Sequence, residues 1–423
     1  MNEFEIFDKE SKVIAESENY YLVTNNKSTT INDGLELVTL VDQNGKYYTE
    51  PLPIDYFLRD DSIDWEPVEK KYSDCVHISK NDFTKDSLIG LATGDALGVP
   101  VEFLSKDVIQ QIQLKDMVGK DTNFLDNPLV SNYSKISWSS KVPSGTWSDD
   151  TSLIVASMAT IVKDEGIINY DHILDAFLNW WEKGEYCAID NFSFGLGRST
   201  SAALDKFHSG VPALDCGGDG IKDNGNGSLM RILPFSLYAI SMEYDEEQMI
   251  DFINKASSIT HAHDISKMSC FIYTEFLKVL LITKNPDLAY KNLLTIPYYN
   301  YYSREAIDAH KELFNVGFMN HKDSSFPEKN GYVVTTLEIS IHNLLTTDNY
   351  ESAVLQAINY GYDTDTNAAV TGSLAGALYG YQNIPERWRS KLRKLDQLEE
   401  LVQSFNDTLN KLEKKTLNFK NQL

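Results

Sequence analysis

Two short segments concentrate carboxylates and hydroxyls in a way that suits a hard cation. Ser148-Asp149-Asp150-Thr151 follows Gly145-Thr146-Trp147, and Gly361-Tyr362-Asp363-Thr364-Asp365-Thr366 precedes a run of small residues from Asn367 to Gly380. Each segment opens an apolar stretch with helical spacing. A serine or aspartate there is an ordinary N-terminal cap, because its side-chain oxygen accepts from the exposed backbone N–H groups. Capping accounts for either segment taken alone. Two such segments, about 210 residues apart, are harder to read as coincident caps. Asp363 and Thr366 are three apart and share a helix face, with Asp365 beside them. If the two helices meet, their carboxylates repel one another unless cations lie between them. Mg²⁺ favours oxygen ligands of this kind, and a bridged pair of ions roughly 3.5–4 Å apart is the natural solution.

Three further segments carry weaker signals. Gly94-Asp95-Ala96-Leu97-Gly98-Val99-Pro100-Val101-Glu102 reads as a small-residue helix that ends at glycine, with the Glu102 carboxylate just beyond. Close helix packing and a C-cap explain its glycines, while Glu102 is placed to enter a cleft from a loop. Asn224-Gly225-Asn226-Gly227-Ser228-Leu229-Met230-Arg231 leaves backbone N–H groups uncovered, and a helix starting after it would favour an anion such as a pyrophosphate. Gly195-Leu196-Gly197-Arg198-Ser199-Thr200 is a second cradle of the same type. It is no dinucleotide fingerprint, since no strand precedes it. His261 and His263, two apart, lack the further His or Cys that zinc would need. A single histidine at a helix start is more often a hydrogen-bonding or phosphate-contacting group.

The elements that must position these groups are mostly helices. Asp86–Leu97, Thr151–Lys163, Ile173–Trp181, Met249–Ser258, Ser266–Leu281, Thr335–Leu345 and Ser352–Tyr360 have helical spacing. Pro143, Pro212, Pro234, Pro297 and Pro327 fall between them as breakers. Helix after helix without alternating strands predicts an all-α domain. From Glu386 to Lys415 the leucine spacing predicts an amphipathic helix pair on the surface. Residues 1–80 differ, with strand-like runs at Tyr20–Thr24 and Leu35–Val41, then a turn signal at Gln43-Asn44-Gly45-Lys46 before Tyr47-Tyr48-Thr49. Residues 1–80 therefore read as a small β-rich or α+β module, and 81–423 as a multi-helix domain. The module carries 17 acidic against 8 basic residues, a net of −9.

Bulk properties bound the function. Hydrophobic residues make up 42% of the 423, enough for a sizeable core. The net charge of −24 opposes binding to phosphate backbones, so no nucleic-acid partner is expected. No stretch approaches the apolar length of a membrane span, and the acidic N-terminus lacks an export signal core. Cys75, Cys187, Cys216 and Cys270 are scattered without a CxxC pair, which suits a reducing cytoplasm.

Taken in order, the five segments resemble the ADP-ribosylglycohydrolase family, from about Phe83 to about Gly380. The resemblance implies a compact all-α fold with two Mg²⁺ or Mn²⁺ ions at the base of an ADP-ribose cleft. By position, Ser148, Asp149 and Asp150 match its first metal cluster, where threonine is common at the first place and serine keeps the hydroxyl. Asp363, Asp365 and Thr366 match the second. Glu102 matches the glutamate near the metals and the scissile bond. Asn226 and Gly227 match the ADP-ribose-binding loop, His261 the histidine beside it, and Gly195 and Gly197 the phosphate-contacting stretch. Some members carry an aspartate at the place of Gly195. If it is their base, another group serves here, and Glu102 is the first choice. Asp190 is nearby in sequence but not aligned.

The implied reaction is hydrolysis of ADP-ribose from modified protein side chains, with arginine the default linkage. Glu102 would act as general acid or base, alongside Asp149 and Asp365 as the metal-holding catalytic carboxylates. One competing expectation is a catalytically silent ADP-ribose-binding member of the family. Another gives the acidic residues 1–80 a partner with a basic face, as in an immunity protein that both reverses and plugs an ADP-ribosyltransferase toxin.

Overall fold

The computed structural model describes residues 80–131, 138, 141–315, 317–318 and 331–420, with 12–17, 20–24, 37–42, 52–54, 58 and 64–71 of the N-terminal part. That part forms a five-stranded antiparallel sheet in the order β4-β3-β2-β1-β5. The strands are β1 (Lys12–Glu16), β2 (Tyr20–Thr24), β3 (Leu37–Asp42), β4 (Leu52–Pro53) and β5 (Glu66–Lys71). Register pairs Leu22 with Leu40 and Val23 with Thr39. Ala15, Leu22 and Val38 make a core of their own with Ile14, Leu40, Ile54 and Trp65. The strand expected at Tyr20–Thr24 is present, and β3 covers most of the second run. The expected turn at Gln43–Lys46 and Tyr47–Thr49 lie outside the described residues.

The remainder is helical, as expected. Its main elements are α1 (Lys80–Gly98), α2 (Asp149–Lys163), α3 (Tyr170–Lys183), α4 (Arg198–His208), α5 (Leu233–Ser241), α6 (Glu246–Ser258), α7 (Asp264–Thr283), α8 (Val333–Thr346), α9 (Tyr350–Ile358), α10 (Thr364–Tyr379) and α11 (Leu395–Lys420). Each helix predicted from spacing before the tail is present; α1 starts six residues earlier than expected, at Lys80, α9 ends two residues earlier, at Ile358, and the other ends lie within a turn. The tail differs from the expected helix pair. A single turn at Glu386–Arg389 leads through Lys394, at φ +53°, into the one long helix α11. Leu398, Val402, Phe405 and Leu409 form its buried stripe, so it packs as one amphipathic helix.

At the centre, α1 and α10 run antiparallel in near contact. Cβ atoms built on Gly94 and Gly98 would lie 2.0 Å from the Ala368 carbonyl oxygen and 2.4 Å from the Asp365 Cα. Only glycine permits that approach, and its helix penalty is offset by backbone-to-backbone packing. The approach brings the end of α1, and hence Glu102, against the start of α10. Among the described residues no single helix is long and apolar enough to cross a membrane, although the bent pair Phe83–Val101 and Lys106–Ile112 passes by length and composition. Leu88, Ile89, Ala92, Ala96 and Leu97 of that pair are buried in the main core.

Candidate active site

Three helix ends converge where α1, α2 and α10 meet. Asp95, within α1, accepts from Ser148 N (2.9 Å), Thr151 N (3.1 Å) and Thr151 Oγ1 (2.6 Å). It thereby ties the start of α2 to α1. Ser148 is the N-cap of α2, and its hydroxyl donates to Asp150 Oδ2 at 2.9 Å. The hydroxyl of Thr366 reaches the same Asp150 oxygen at 3.4 Å. Asp363, the N-cap of α10, makes no side-chain cap bond and instead accepts from Asn226 Nδ2 at 2.7 Å.

Glu102 is held by backbone geometry on both sides. Phe103 N donates to the Tyr362 carbonyl, and Tyr362 N to the Leu104 carbonyl, each at 2.7 Å. Phe103 and Tyr362 both occupy the left-handed region, at φ +68° and +59°. This clamp joins the Glu102 loop to the residue before Asp363, and non-glycine residues are held in that conformation where the surroundings demand it.

The carboxylates are crowded and buried. Oxygens of Asp95, Asp150 and Asp365 lie within 4.8 Å of one another, as do those of Glu102, Asp363 and Asp365. Burial and the neighbouring Asp363 and Asp149 push Glu102 up to about 9. Burial and Asp95 push Asp149 up to about 8. Burial and the surrounding acids raise Asp150 and Asp365 well above the carboxylate range. Burial takes Asp95 only to about 6, because its hydrogen bonds favour the charge. The neighbouring Trp138 side chain favours the Glu102 charge, while Glu102 Oε2 and Asp150 Oδ1 have no partner. Orphaned buried oxygens in a crowd of carboxylates fit a cation site. Asp95, with its oxygens already occupied by four hydrogen bonds to residues 148 and 151, fits the role of anchor better than that of ligand.

A cleft of about 670 Å³ opens over this cluster, within the range of small-molecule sites. Glu102, Asp149, Gly195, Gly197, Asn226, Gly227, His261, Asp363, Asp365 and Thr366 all line it. Ser148 and Asp150 lie beneath, each 1% exposed. Every residue to which the resemblance gives a site role is therefore in or directly under one cleft. The glycine loops differ from expectation in one respect. No helix begins at Gly227; the chain continues in turns to Leu233. The helix start facing the cleft belongs to α4, with Gly197 as its N-cap. The loop at 224–227 is instead anchored by Asn226 N to the Gly331 carbonyl (3.0 Å) and Val333 N to the Asn224 carbonyl (3.1 Å).

Comparison with known proteins gives the family. The ADP-ribosylglycohydrolase family profile matches residues 78–416. The chain belongs to the ADP-ribosylglycohydrolase family. It is similar to the ADP-ribosylarginine hydrolase Tri1 of Serratia proteamaculans, 28% identical over 327 residues, covering 77% of this chain and 79% of that protein. The ADP-ribosyl-[dinitrogen reductase] glycohydrolase of Rhodospirillum rubrum is 26% identical over 321 residues, covering 74% of this chain and 91% of that protein. A solved structure titled ADP-ribosylglycohydrolase-related protein complex superposes with a TM-score of 0.59 at 24% identity, covering 78% of this chain and 99% of that one. The match begins at residue 78, so the sheet lies outside it.

Within this family frame, Gly195 is the informative departure. It sits at φ +92°, and a Cβ there would fall 2.0 Å from Asp149 Oδ1. An aspartate at 195 and Asp149 in its present position are mutually exclusive. Asp190 offers no substitute, being exposed and paired with Lys394. Asp95 and Trp138 are two neighbours of the site that the sequence motifs do not single out. A lone carboxylate among Gly94, Ala96 and Leu97 was the signal for the first. Nothing local marks the second.

Proposed function

We propose that this glycohydrolase cleaves the bond between the ribose anomeric carbon of ADP-ribose and an arginine side chain of a modified protein. The observation that carries this is the buried carboxylate cluster with two unpartnered oxygens at the base of a glycine-lined cleft. Both relatives described above bear names of ADP-ribosyl hydrolases, one of them that of an ADP-ribosylarginine hydrolase.

Ser148, Asp149, Asp150, Asp363, Asp365 and Thr366 would hold two divalent cations, Mg²⁺ or Mn²⁺. Such ions supply Lewis acidity and neutralise the acids around them. The chain's own residues do the rest. The start of α4 and the loop at 224–227 present backbone N–H groups to the anionic diphosphate. Binding energy gathered there positions the ribose over the carboxylates. Glu102 is the general acid–base group, taking a proton from the attacking water and returning one to the departing guanidine nitrogen. One C–N bond breaks, one C–O bond forms, and the products are ADP-ribose and arginine.

Linkage is tested by giving the purified chain matched arginine- and serine-ADP-ribosylated proteins and measuring free ADP-ribose. Release from the arginine substrate at least tenfold faster is expected. Preference for serine, or release from neither, would overturn the linkage assignment.

A further inference from the structure

Behind the glycine loop lies a buried cation that the cleft chemistry above does not use. Arg231 is 0% exposed. Burial pulls its pKa down to about 10, and no carboxylate acts to restore it. Its Nη2 donates to the Ala256 carbonyl (3.0 Å), the Ser257 carbonyl (3.4 Å) and Thr260 Oγ1 (2.7 Å). Nε and Nη1 have no partner. The guanidinium lies over the Phe177 ring, 5.3 Å from its centroid. As a packing element this is poor, since an apolar side chain of similar volume would avoid the desolvation cost.

What Arg231 does control is Thr260. The Thr260 oxygen also lies 2.8 Å from His261 Nδ1. Because that oxygen accepts from Arg231, its own hydrogen is free to donate, and His261 Nδ1 is the acceptor in reach. Donation to Nδ1 would leave that nitrogen without a proton and place the neutral ring's proton on Nε2. Burial and the nearby guanidinium both oppose the imidazolium form. The ring packs against Gly227. A Cβ at Gly227 would fall 2.9 Å from His261 Cε1. The His261 backbone is pinned by its N–H to the Ser257 carbonyl and by the Ser257 hydroxyl to its own carbonyl, each at 2.9 Å. His261 lines the cleft beside Gly225, Asn226 and Gly227.

We propose that Arg231 is a positioning residue that works through Thr260 to hold His261 as a neutral imidazole with its proton on Nε2, so that this wall of the cleft presents a hydrogen-bond donor to an oxygen of the ADP-ribosyl group. The identity of that ligand rests on the function proposed above. The tautomer does not.

Side-chain ¹⁵N NMR of the full chain reads the tautomer, with His261 assigned by its loss in His261→Asn. Thr260→Val removes the hydroxyl at nearly constant volume and leaves the two backbone bonds of Arg231 in place. Thr260→Ser keeps the hydroxyl. The expected result is an Nε2–H tautomer in the wild type and in Thr260→Ser. In Thr260→Val, mixed tautomers should accompany an ADP-ribose Kd raised roughly tenfold, the loss of one hydrogen bond, with KM rising more than kcat falls. Arg231→Met, where it folds, should show the same pattern. An Nδ1–H tautomer in the wild type would overturn the proposal, as would wild-type tautomer and affinity in Thr260→Val. A chain that binds no ADP-ribose but shows the Nε2–H tautomer, lost in Thr260→Val, would refute the proposed function and leave the positioning role standing.

Discussion

Asp365 belongs to both carboxylate triplets, so it is the residue whose charge matters most to its neighbours. In the cation-free chain its neutralisation relieves repulsion from Glu102, Asp150 and Asp363. Asp365→Asn is therefore expected to raise the melting temperature in chelator by a few degrees, while abolishing both hydrolysis and the stabilisation that added Mn²⁺ gives the wild type. Such a gain in stability at the expense of activity is typical of sites that gather like charges. A lower melting temperature in chelator would show that the cluster is not repulsive. Gly195→Ala tests the opposite wall. Its Cβ would displace Asp149, and a misplacement of about 1 Å costs roughly 100-fold in rate. That loss should appear in ADP-ribose release, and the melting temperature should fall as well, because alanine at φ +92° is strained. At this scale the site was largely legible in the sequence, because hydroxyl-acid clusters at two helix starts are a local pattern. Asp95 and the Arg231–Thr260–His261 relay were not, since their meaning lies in contacts between residues 29 to 56 positions apart.

The element that places these residues is the α1–α10 pair. Gly90, Gly94 and Gly98 face Gly372, Ala368 and Asp365 with no room for a side chain. Gly94→Val would force the backbones apart, and overpacking of this kind costs about 1–3 kcal/mol or more. Thermal unfolding should show that loss, and hydrolysis should fall further than stability does because Glu102 moves away from Asp363. Equal activity at a lowered melting temperature would mean that the pair is scaffold only. Helices were readable from periodicity wherever one face is polar. The tail was misread as two helices because the leucine spacing does not show that the break at Lys394 leaves only a single turn before it. The helix start was placed after the wrong glycine loop because a glycine run looks alike before a turn and before a helix. Only tertiary packing decides between them.

For the molecule as a whole, pH and the N-terminal sheet provide two further tests. Glu102 and Asp149 are raised to about 9 and about 8 in the folded, cation-free chain. Unfolded, they ionise near 4. A group with a raised folded pKa contributes stability at low pH that is lost as pH climbs toward the folded value. Between pH 7.5 and 9, above the range in which unfolded histidines titrate, the melting temperature in chelator should fall, and Mg²⁺ should flatten the curve. A flat curve in chelator would contradict the crowding described here. The sheet has its own small core and lies outside the family match. We propose that it is a separate module, and removing residues 1–77 should leave the hydrolysis rate within about twofold. A pull-down of the full and shortened chains with a basic-faced ADP-ribosyltransferase tests the partner role suggested by the module's acidity.

The most direct test is the release of ADP-ribose from an arginine-ADP-ribosylated protein by the full chain, with Mg²⁺ or Mn²⁺ and then with excess chelator. Release that depends on the cation and stops in chelator is the predicted result. Release that continues undiminished in chelator would contradict the assignment of the carboxylate cluster as a metal centre.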